Sequence, residues 1–134
     1  MPQVNIYTIS HDVFQKANAD LAEKGMRRET ASEIFKNDLA GTLERMFKEI
    51  IARHRLSLPT GKGPGLGTYY RTIRDAMKSS RGTGSDLFAE SMEEFCSQRN
   101  LVVHHDVHLP VPTIRQHALT CSKVLEVLKL VYAL

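Results

Sequence analysis

Ile114, Ala118, Cys121, Leu125, Leu128 and Tyr132 recur at alternating steps of four and three, which places all six on one face of an α-helix. An apolar stripe of that length can be buried only against another like it. The chain supplies the partners. Between Thr30 and Arg55, Phe35, Leu39, Leu43, Met46 or Phe47, and Ile50 keep helical spacing. Thr30 and Glu33 form an S/T-x-x-E capping box that predicts where this helix starts. A helix from about Ser85 through the low hundreds carries Phe88, Met92, Phe95 and Val102, and one from Thr68 to about Ser80 carries Tyr70, Ile73 and Met77. A shorter amphipathic piece near residues 11 to 25 ends at Gly25, and Pro112 with Thr113 opens the last helix. Glycine- and proline-rich stretches at 58–67, 80–84 and 109–113 separate these segments. Tyr7 and Ile9 could extend briefly, but a lone strand has nothing to pair with. An all-α, up-and-down bundle of about four to five helices is expected, as one domain over residues 1–134.

Composition narrows the class. Hydrophobic residues at 42% and charged residues at 25% are globular proportions. The most apolar run, Val124 to Leu134, is interrupted by Glu126 and Lys129, so no membrane span is expected, and the N-terminus shows no secretory pattern. A cytoplasmic protein is the expectation. Cys96 and Cys121 fit neither a disulfide framework nor a zinc site and read as buried thiols. The charge is uneven: from Arg53 to Arg81 there are seven basic residues against Asp75 alone, in a chain whose net charge is +3. Within that segment Arg71, Arg74, Lys78 and Arg81 fall at steps of three, four and three along one helix face. Such a row can neutralise successive phosphates, with Tyr69 offering a surface for an unpaired base. A solvated helix face is the competing reading. Thr60, Gly61 and Lys62 hold pieces of a nucleotide-binding loop, but Gly63 follows the lysine and no strand precedes it.

His104, His105, Asp106 and His108 suggest a metal site at first sight. No glutamate stands where a zinc protease needs one, and neither this cluster nor His11-Asp12 matches the order of an HD phosphohydrolase, so no metal is expected. The segment SQRNLVVHHD, residues 97 to 106, instead contains Arg99, Asn100 and His104 as R-N-x-x-x-H, near the end of the penultimate helix and ahead of a long apolar final one. It resembles the signature of HEPN domains, small helical bundles many of which are metal-independent endoribonucleases of toxin-antitoxin and antiviral systems. The likeness covers residues 85–134 well and the first half only in being helical. It implies RNA as substrate, a homodimer with a composite cleft across a twofold axis, no cofactor, and an antitoxin or other regulatory protein as a further partner. One departure stands out. In the subgroup silenced by a nucleotidyltransferase antitoxin a tyrosine lies two residues after the histidine, and here that position is Asp106.

The chemistry of these residues can be stated without the family. Arg99 takes a slot in the stripe Phe88, Met92, Phe95, Arg99, Val102 that packing would normally give to leucine. A charge there needs a carboxylate, a cleft or an interface, and Glu44, Glu49 and Glu90 are the candidate internal partners. Five residues of helix turn through about 500°, so Arg99 and His104 diverge by about 140°. Either the helix breaks after Val103 or two copies of the chain share the site. RNA carries its own nucleophile, the 2'-hydroxyl. Imidazoles as a class titrate near neutrality, so His104 suits proton transfer, while the planar guanidinium of Arg99 can grip phosphate oxygens. By resemblance, Asn100 orients the pair. The competing expectation is a non-catalytic helical module that binds RNA or a protein.

Overall fold

In the computed structural model, which describes residues 5–58, 65–80 and 85–132 apart from the side chains of 78–80 and 85–89, the first helix, α1, spans Ile6–Leu21. It begins earlier than its amphipathic pattern suggests because Asn5 caps it: the Tyr7 backbone N–H donates to Asn5 Oδ1 at 2.7 Å. Tyr7 and Ile9 are therefore helical. Gly25 lies beyond the helix at φ +78°, where a residue without Cβ turns the chain most easily.

Next come α2 (Arg28–Glu33), a π-helical segment (Ile34–Ala40) and α3 (Gly41–Arg53), one running into the next as a single rod. The expected capping box is not formed. The N-cap is Arg27, in extended conformation and without a side-chain cap bond, so Thr30 already sits inside the helix. The earlier start turns Ala31 and Ser32 inward, and burial outweighs a single cap. Glu33 bonds forward instead, to Lys36 and Asn37. α3 ends in a Schellman turn with Arg55 at φ 52°, its N–H to the Ala52 carbonyl at 3.4 Å and the Leu56 N–H to the Ile51 carbonyl at 3.0 Å.

α4 (Leu66–Ser80), α5 (Ser85–His104) and α6 (Val111–Val131) complete the chain. No strand occurs among the described residues, and the fold is an all-α helical bundle. α6 lies antiparallel on α1. The Tyr7 hydroxyl reaches the carbonyls of Leu128 and Tyr132, Asn18 meets Ser122, and Arg115 donates to the Leu21 carbonyl. α4 packs on α3 and on α5. The π segment touches α1, α5 and α6, and it sets Phe35 against Phe95 at 5.0 Å between ring centroids. Around this point Leu39, Leu43, Met46, Phe47, Ile50, Tyr70, Ile73 and Ile114 are buried completely. No described helix is long and apolar enough to cross a membrane.

Candidate active site

The stripe read on α5 is confirmed at Met92, Phe95 and Val102, all buried; the Phe88 side chain lies outside the described residues. Arg99 is half-buried on that stripe. The carboxylates that could have neutralised it are elsewhere: Glu44 pairs with Lys48 at 3.8 Å and Glu49 with Arg53, while Glu90 lines a cleft between α5 and α6. Among the described residues no carboxylate lies within ion-pair distance of Arg99. Asn100 and His104 are exposed.

Helix α5 runs on through His104 without the break after Val103 that would let one chain bring Arg99 and His104 together. At about 100° per residue the two side chains leave the helix about 140° apart. Around the arc between and beyond them the order is Arg99, Val103, Asn100, His104, Leu101. Val103 and Leu101 are each 41% exposed, so two aliphatic side chains bracket the polar pair on an open face. Past His104 the chain reverses through Asp106 at φ 50°, and the Val107 N–H returns to the Leu101 carbonyl at 3.3 Å. His105 is exposed, and His108 is drawn away to Ser32 Oγ at 3.2 Å. Among the described residues no three His, Cys, Asp or Glu side chains gather as metal ligands do.

The basic row of α4 divides. Arg71 is exposed and forms no ion pair among the described residues. Together with Ser57, Thr68 and Thr72 it lines a cleft of about 500 Å³. Arg74 lines the same cleft but is ion-paired: it meets Asp75 at 3.1 Å and Glu93 at 3.2 Å and lies over the Tyr70 ring at 5.5 Å. Glu93 also accepts from the Tyr70 hydroxyl at 2.8 Å, and burial with that contact pushes the phenol up to about 12. The reading of α4 alone could not find Glu93, because it arrives from α5. Tyr69 is buried beneath the Lys48 ammonium and offers no stacking surface. The Lys78 side chain and Arg81 lie outside the described residues, as do residues 59–64 of the glycine loop.

Both cysteines are buried thiols, as expected. Burial pushes Cys96 up to about 11, aided by Glu93 and opposed by Arg71 and Arg99. Arg71 of α4 and Arg99 of α5 are thus both near enough to this one thiol to act on it.

One buried titratable group went unnoticed in the sequence. His117, on α6, is only 5% exposed. Its ring lies 5.2 Å from both Phe35 and Phe95, and its Nε2 bonds to Gln98 Oε1. Burial holds its pKa below the ordinary histidine value. The signal was present, since His117 stands three residues after Ile114 and four before Cys121, on the apolar stripe itself. Comparison of the chain with protein-family models, curated proteins and solved structures finds no match.

Proposed function

We propose that this chain is a HEPN-like endoribonuclease that works without a metal ion, as a cytoplasmic homodimer whose cleft is lined by Arg99, Asn100 and His104 of both copies. The observation that carries the reading is Arg99: a guanidinium set into an apolar stripe, with no carboxylate to neutralise it among the described residues. A phosphate is the natural complement of such a group. The open face bracketed by Val103 and Leu101 supports a second copy as neighbour. A twofold axis there sets Arg99 of one subunit beside the partner subunit's His104, which removes the 140° divergence.

In the cleft His104 takes the proton of the 2'-hydroxyl, whose oxygen attacks the adjacent phosphorus. The bond from phosphorus to the 5'-oxygen breaks, and that oxygen leaves with a proton supplied by an acid, the second imidazole in this arrangement. Arg99 offsets the charge growing on the non-bridging oxygens and Asn100 orients the groups by hydrogen bonds. Arg71 carries a neighbouring phosphate, with Lys78 and Arg81 continuing the row in sequence. A toxin or antiviral effector, held in check by an antitoxin or other regulatory protein, is the biological role that fits an enzyme of this kind.

Incubation with RNA in EDTA tests the proposal. The native chain should leave 2',3'-cyclic phosphate ends, and His104→Ala and Arg99→Ala should each slow cleavage about 100-fold or more. Binding of RNA by the native chain without cleavage would leave the non-catalytic module, and cleavage undiminished in both variants would remove the site.

A further inference from the structure

Only residues 81–84 separate α4 from α5, and helices joined so closely pack antiparallel. Their register is fixed by Glu93, which accepts from the Tyr70 hydroxyl at 2.8 Å and from Arg74 Nη1 at 3.2 Å. Three residues back from Tyr70 and three on from Glu93, Gly67 stands about opposite Cys96. Gly67 has no side chain, and the guanidinium of Arg71 fills that space, with Nη1 and Nη2 each 3.5 Å from where a Cβ would stand. A cation is thereby held at the first turn of α4, the positive end of the helix dipole, and no acidic residue of that turn offsets it. Arg99 approaches from the other helix. It lies three residues beyond Cys96, about 4.5 Å of helix, and helical side chains lean toward the N-terminus, which brings its stem back toward the thiol. The charges of both arginines oppose the burial that raises Cys96. Glu93, the carboxylate at this interface, is already held by Tyr70 and Arg74, and neither Arg71 nor Arg99 has an ion-pair partner among the described residues. Two guanidiniums so placed on neighbouring helices raise each other's energy unless anions neutralise them.

We propose that Arg71 and Arg99 of one chain hold two consecutive phosphates of a single strand, so that the ligand is an oligonucleotide with charged linkages side by side rather than an isolated phosphodiester. The proposal rests on the nuclease reading only in giving Arg99 the phosphate that is cut; it adds that the next phosphate lies on the α4 side of the same subunit. A strand supplies one negative charge per linkage, so two linkages neutralise the pair. Each guanidinium can offer two parallel N–H donors to the non-bridging oxygens of its linkage. The cleft that Arg71 lines with Ser57, Thr68 and Thr72 gives the strand room on that side. A dinucleoside monophosphate leaves one arginine unpaired, whereas a trinucleotide satisfies both.

Titration calorimetry at low salt with a 2'-O-methyl trinucleotide, which has no free 2'-hydroxyl and cannot be cut, reads the two linkages separately when one or the other is made an uncharged methylphosphonate. In the native chain, neutralising either linkage should weaken binding about tenfold. Arg71→Gln should abolish the effect at one linkage only and Arg99→Met the effect at the other, with the helical circular dichroism unchanged in both. Loss of the same linkage in both variants, an unchanged pattern in either, or a trinucleotide bound no more tightly than the dinucleotide would overturn the proposal. Cleavage of unmodified RNA in EDTA is measured on the same proteins. Its absence with the linkage pattern intact removes the nuclease and keeps the phosphate pair, and its presence without that pattern does the reverse.

Discussion

Replacing Arg99 with methionine separates a guanidinium kept for a ligand from one kept for the fold. If Arg99 were half of an internal ion pair, its loss would strand a carboxylate and cost about 3–5 kcal/mol. The half-buried position, flanked on α5 by buried Phe95 and Val102 and lacking a carboxylate, leads to the opposite expectation. A fully buried apolar side chain contributes about 1.5–3 kcal/mol, so a half-buried one contributes about 1. Part of that is already supplied by the arginine stem lying along the stripe. The net gain is about 0.5–1 kcal/mol. For 134 residues at about 2.1 cal/mol/K each, the unfolding entropy is about 0.3 kcal/mol per degree, so Tm should rise by about 2–3 °C. The ion-pair alternative demands a fall of about 10 °C or more. Thermal melts by circular dichroism at several protein concentrations decide between them and expose any part played by self-association. Cleavage of RNA, measured on the same preparations, should disappear in the stabilised variant, since binding sites often cost stability. A melt displaced downward by several degrees would refute the reasoning.

Arg55→Gly should stabilise the chain by about 0.5–1 kcal/mol, because arginine at φ 52° pays a left-handed penalty that glycine avoids, less the greater freedom glycine gains on unfolding; a lower urea midpoint would contradict it. Ser10→Ala should add about 1 kcal/mol, since the Ser10 hydroxyl is fully buried without a hydrogen-bond partner among the described residues; destabilisation in urea would show that the hydroxyl is satisfied in solution. His117, whose folded pKa is depressed by burial, leaves the unfolded chain binding more protons as the pH falls. Its contribution is therefore complete above the ordinary histidine pKa and is lost on acidification from about pH 7 toward 5; urea midpoints across that range should slope less in His117→Phe, and equal slopes would exclude the residue as the cause. Arg71→Glu should weaken RNA binding and reduce the slope of log K against log salt by about 1, a change that the ion-paired Arg74 should not produce when replaced by glutamine.

The π segment has its own signature in the sequence. Ala31, Phe35, Leu39 and Leu43 are all buried and follow one another at steps of four without a single three. A regular α-helix would carry that series steadily around its circumference; the wider i→i+5 turn of Ile34–Ala40 holds it on one face. A period judged only against 3.6 residues conceals such a turn.

What the sequence determined by itself was the helical bundle, the long α5 and α6, the two buried thiols and the out-of-place Arg99, because each rests on the spacing of apolar residues along one helix. Tertiary structure alone decided which charges are free. Arg71 and Arg74 are near equals on α4, yet Glu93 on α5 claims one and leaves the other. Glu44 and Glu49 were available to Arg99 in sequence, and each is held by a cation one turn along its own helix. Likewise His117 became a buried imidazole only when Phe35, Phe95 and Gln98 closed around it. Apolar periodicity is a property of one segment and survives in the bare sequence, whereas the state of a charge depends on atoms that only folding brings within a few ångströms.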